Sequence, residues 1–70
     1  MTQNDELDNI YTYHAPKDDQ PIRYEEIRRI GKVFAALIVN STPKSREQSL
    51  ALTKLEEAVM WANASIARNE

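Results

Sequence analysis

LALTKLEEAVMWANASIAR, residues 50–68, carries apolar side chains at Leu52, Leu55, Val59, Ala62 and Ile66. Their alternating steps of three and four draw one stripe down an α-helix. A second apolar set, Leu50, Ala58, Met60, Trp61, Ala64 and Ala67, falls off that stripe. A helix that is apolar on more than one side needs more than one neighbour to cover it. The chain has one other good helix to offer, so the second neighbour is expected to be another copy of the same protein.

Working upstream, Ser45 with Gln48 three residues later matches a capping box, and Glu47 suits the positive end of a helix. Thr42-Pro43 is an alternative start one turn earlier, giving a second helix over residues 44–68. Asn40 to Pro43 ends a first helix over residues 21–40, and so short a loop makes the two helices antiparallel neighbours. Pro21 fits the first turn because it has no N–H to leave unpaired, and Asp19 is the expected cap. Ile27, Ile30, Phe34, Leu37 and Ile38 are expected to form its inner face, widened by Val33. Gly31 costs about 1 kcal/mol against alanine in mid-helix, which is repaid if it lets the helices cross closely. Glu25 and Glu26 stand at pairing distance in sequence from Arg28 and Arg29.

Residues 1–9 are polar and acidic, and a frayed start is expected. Residues 10–70 then form one domain, beginning with an extended arm over 10–20. Within IYTYHAPKDDQ, Tyr11 and Tyr13 would share one face of an extended segment, and Lys17-Asp18-Asp19 is turn chemistry. Such tyrosines either pack on the helices or offer faces on which nucleobases stack. The fold class expected is all-α: an antiparallel helical hairpin with an N-terminal arm, assembling into a homo-oligomeric bundle.

Composition narrows the function. A chain of 70 residues buries little core alone, and small scaffolds usually depend on a disulfide, a metal or oligomerisation. There is no cysteine and only His14 among histidines, so neither a disulfide nor a zinc site is expected. The net charge of −2 disfavours duplex nucleic acid as a partner. The longest uncharged run, Val33 to Pro43, is too short to span a bilayer, and no signal segment is evident, so a soluble intracellular protein is expected. Gly31 is the only glycine, which excludes glycine-rich phosphate loops. With His14 as the one imidazole base and no cleft for paired carboxylates, no enzyme and no cofactor are expected.

TYHAP (12–16), RYEEIR (23–28), TPKSRE (42–47) and above all LEEAVMWANA (55–64) resemble the phage anti-CBASS sponge family. That family shares its helical hairpin with one class of anti-Thoeris sponge. The resemblance runs from about Tyr11 to Arg68. It implies a hexamer of hairpins that binds cyclic oligonucleotide messengers without cleaving them, in the cytoplasm of the host bacterium, so that the CBASS effector is not activated. It also implies that cyclic dinucleotides such as cyclic GMP-AMP sit between protomers, with aromatic rings on the bases and basic groups at the phosphates. Some members also hold cyclic trinucleotides near a three-fold axis.

On that resemblance the cyclic dinucleotide contacts are assigned to Tyr11 or Tyr13 for stacking, and to Arg28 or Lys32 at the phosphates. Lys17 and Arg23 stand behind them, and Tyr24 lines the same pocket. Arg68, near the family's C-terminal basic position, is assigned to a trinucleotide site. The competing class is a protein-binding module whose Met60/Trp61 surface captures a host protein; a purely structural assembly element is the third.

Overall fold

A helix from Gln20 to Ser41 (α1) and a helix from Arg46 to Asn69 (α2) pack side by side as a hairpin in this computed structural model, which describes residues 10–11 and 16–70. At about 1.5 Å per residue the helices are roughly 33 and 36 Å long. Among the described residues no helix is long and apolar enough to cross a membrane.

The turn between the helices follows from its chemistry. Thr42 precedes Pro43, whose ring disfavours helical geometry at the residue before it, and Thr42 accordingly takes extended φ −129° and ψ 153°. Its N–H and Oγ1 both donate to the Ile38 carbonyl, at 3.1 and 2.6 Å, which closes α1. Ser45 Oγ accepts from the Gln48 N–H at 3.1 Å and opens α2. Only half of the expected capping box forms. The Gln48 side chain reaches instead across the turn, donating to the Thr42 carbonyl and hydroxyl at 3.1 Å each.

At the other end Asp19 occupies the N-cap position of α1, but its side chain caps no backbone N–H. The work is done by a tight turn, with Gln20 N–H donating to the Lys17 carbonyl at 2.8 Å. Asp18 turns the chain with φ 46°, a left-handed value that aspartate tolerates better than most residues. Asp19 is drawn to Arg23 instead, at 3.2 Å.

The hairpin-facing stripe of α2 is the expected one, since Leu52, Leu55, Val59, Ala62 and Ile66 are all half-buried. The inner face of α1 differs. Tyr24, Ile27, Ala35 and Ile38 are half-buried and Gly31 is buried, whereas Ile30, Val33, Phe34 and Leu37 lie exposed. The physical reason is the crossing: a β-carbon on Gly31 would come within 2.6 Å of Val59 Cγ2. Small residues turned inward let the helices close together, and the bulky set at positions 30, 33, 34 and 37 is rotated outward as a second stripe.

No apolar residue among those described is fully buried. Phe34 is 52% exposed and Trp61 58%. Trp61 is therefore not part of the hairpin's core. The Arg68 guanidinium carbon lies 5.8 Å from its ring centroid, within cation–π reach.

Candidate functional site

The antiparallel turn brings the end of α2 beside the start of α1, and a polar cluster forms there. Arg23 Nη1 donates to Glu70 Oε2 at 2.9 Å, and Nη2 donates to Oε1, so the guanidinium grips the carboxylate with both arms. Gln20 Nε2 donates to Glu70 Oε1 and Lys17 Nζ to the Glu70 backbone oxygen, both at 3.4 Å. Gln20, 5% exposed, also accepts from the Lys17 N–H at 2.9 Å through its side-chain oxygen. The hydrogen bond from Arg23 holds the Glu70 carboxyl down at about 2, from an ordinary 4.5, against a smaller opposing effect of burial. The same hydrogen bond pushes the Arg23 guanidinium above its ordinary range.

A second arrangement lies further along the same helices. Tyr24 and Arg28 line a groove of about 300 Å³ with Asn63, Ala64 and Ala67. The two alanines keep the α2 side shallow, which leaves room beside the tyrosine and the guanidinium. Asn63 Oδ1 is buried there without a hydrogen-bond partner among the described residues.

Arg28 also lines a second groove, of about 370 Å³, with Lys32, Gly31, Ala35, Leu52, Leu55, Glu56 and Val59. Neither Arg28 nor Lys32 forms an ion pair among the described residues, and Glu25 and Glu26 do not pair with Arg28 or Arg29. On the opposite side of the crossing, Ile27, Ile30, Phe34, Leu55, Ala58 and Val59 line an apolar groove of about 380 Å³.

The residues expected to meet a ligand are therefore distributed over distinct places. Lys17 and Arg23 come together, but around Glu70 rather than around open space. Tyr24, Arg28 and Lys32 line the pair of adjoining grooves. Tyr11 is helical with Ile10, not extended, and stands 82% exposed. Tyr13 lies outside the described residues. Arg68 stands over Trp61. Glu70, Gln20 and Asn63 were absent from the expected set. No local pattern marks Glu70, which meets the first turn of α1 only through the register in which the two helices pack.

A family model, Acb2/Tad1, hairpin domain, matches residues 3–67. No curated protein and no solved structure matches the chain. With its match spanning both helices and the turn between them, the chain belongs to the Acb2/Tad1 hairpin family of phage sponge-type proteins.

Proposed function

We propose that this protein binds cyclic oligonucleotide messengers and holds them uncleaved, so that the CBASS immune effector of the host bacterium is not activated. Its ligands are cyclic dinucleotides such as cyclic GMP-AMP, with cyclic trinucleotides as a second class, and it acts in the host cytoplasm. The observation that carries the reading, beside the family match, is the groove in which Tyr24 and Arg28 stand together over the shallow Ala64/Ala67 surface. A cyclic dinucleotide is a compact dianion with two π faces. A ring and a planar cation side by side answer both features, the ring by stacking and the guanidinium by forked hydrogen bonds to phosphate oxygens.

The exposed stripes complete the proposal. Ile30, Val33, Phe34 and Leu37 on α1, with Met60 and Trp61 on α2, leave more apolar surface open than a stable small chain keeps in water. Other copies of the hairpin cover it, in a hexamer, and the ligand sits where copies meet. In that assembly Tyr11 or Tyr13 stacks on a base, Arg28 and Lys32 meet phosphates with Lys17 and Arg23 behind them, and Arg68 serves the trinucleotide site.

Calorimetry with cyclic GMP-AMP tests this reading. Tight binding is expected, with the nucleotide recovered intact after the protein is denatured. If no cyclic di- or trinucleotide binds, the exposed Met60/Trp61 pair becomes the surface on which to seek a protein partner. A degraded nucleotide would mean an enzyme instead.

A further inference from the structure

From the donors that converge on Glu70 we infer that the start of α1 is a phosphate-binding site, and that the Glu70 carboxylate occupies it as an internal competitor displaced by the incoming oxyanion. The inference rests on the proposed binding of phosphodiester messengers and names a regulation of it.

Four observations carry it. First, the Arg23 fork meets both oxygens of Glu70, the same two-point geometry with which guanidinium binds phosphate. Second, Gln20 is built into the site: its side chain is held at one end by the Lys17 N–H, and its amide N–H₂ is left to point at the carboxylate. A residue 5% exposed on an otherwise open hairpin is fixed in place before any ligand arrives. Third, the carboxylate does not use every donor, because Arg23 Nε is buried with no hydrogen-bond partner among the described residues. Fourth, the occupant can leave. The side chains of Arg23 and Glu70 are 34% and 44% exposed, and solvent competes for both partners of such an ion pair.

Charge points the same way. Lys17 and Arg23 face Asp19 and Glu70, so the cluster is neutral while Glu70 is in place. Withdrawal of Glu70 leaves one net positive charge beside an arginine fork and an amide donor. Glu70 stays ionised at neutral pH, so it competes throughout the physiological range.

The test is a titration of inorganic phosphate, and separately of cyclic GMP-AMP, into the wild-type protein, Glu70→Gln and Glu70→Asp, read by NMR at the Arg23 side-chain N–H resonances. Glu70→Asp keeps the charge but shortens the reach, so it remains informative if Glu70→Gln fails to fold. Removal of a competing exposed ion pair is expected to strengthen phosphate binding by about two- to fivefold, with the Arg23 resonances moving. Adding Arg23→Gln to either variant should abolish the gain, followed there at the Gln20 side-chain amide, which faces the same carboxylate. Equal phosphate affinity in the wild type and both variants, or unmoved Arg23 resonances, overturns the inference. Phosphate binding that follows the expected order with no response to cyclic GMP-AMP would retain the site and remove the messenger reading. Messenger binding at wild-type strength in both variants would retain the sponge and remove the competitor.

Discussion

Gly31 and Val59 meet where the helices cross, and a β-carbon at position 31 would stand 2.6 Å from Val59 Cγ2. Valine is stiff at χ1, so its methyl group cannot simply swing aside. Gly31→Ala is therefore expected to destabilise the hairpin. Overpacking of this kind costs about 1–3 kcal/mol, against a helix-propensity gain of about 1 kcal/mol. The double variant Gly31→Ala/Val59→Ala should recover part of the loss. Thermal unfolding followed by circular dichroism distinguishes the cases, and a Gly31→Ala protein that melts higher than wild type would show that the helices are free to part.

Much of that crossing could be anticipated from the presence of the one glycine, but which face of α1 it would turn inward could not. Helix α1 carries two apolar stripes, one through Ile27, Gly31, Ala35 and Ile38 and one through Ile30, Val33, Phe34 and Leu37. Periodicity sees both, and bulk favours the second. Close approach favours the first, because backbone can reach backbone only across small residues. The stripe of α2 was legible throughout, since Leu52, Leu55, Val59, Ala62 and Ile66 keep the helical step of three and four along the whole contact. The Glu70 cluster was not, because hydrogen bonds spanning some fifty residues depend on register, which no local pattern encodes. The arginine was foreseen as a cation, and its partner was not foreseen.

Trp61 gives a second prediction. A buried tryptophan would cost about 3–5 kcal/mol on truncation, but at 58% exposed most of that loss cannot come from the hairpin itself. Trp61→Ala should retain helical content while weakening association between copies. Sedimentation and circular dichroism on the same sample separate the two effects. Loss of helicity in proportion to loss of assembly would show that the single hairpin depends on the ring.

Acid provides a third. The Glu70 carboxyl titrates at about 2 when held by Arg23 and near 4.5 when free. A folded value below the unfolded one stabilises the fold above the unfolded pKa, and the contribution fades as pH falls through the folded one. The wild-type midpoint temperature should therefore decline between about pH 4.5 and 2 by more than that of Glu70→Gln. Parallel curves for the two proteins across that window would show that the pair contributes nothing to folding.

Ser45 offers a fourth. Its hydroxyl accepts the Gln48 N–H at 3.1 Å and is the side-chain cap of α2. Ser45→Ala should cost about 1 kcal/mol of stability, and Ser45→Asp should cost little. Equal melting of Ser45→Ala and wild type would show that Gln48, already bonded across the turn, holds the helix end by itself.

The most direct measurement is sedimentation velocity of the protein with a trace of labelled cyclic GMP-AMP, followed by extraction of the label. The expected result is label travelling with a particle several times heavier than the 8.1 kDa chain and returning chemically intact. Label left behind while the protein sediments as a single chain would contradict both the shared interface and the ligand placed in it.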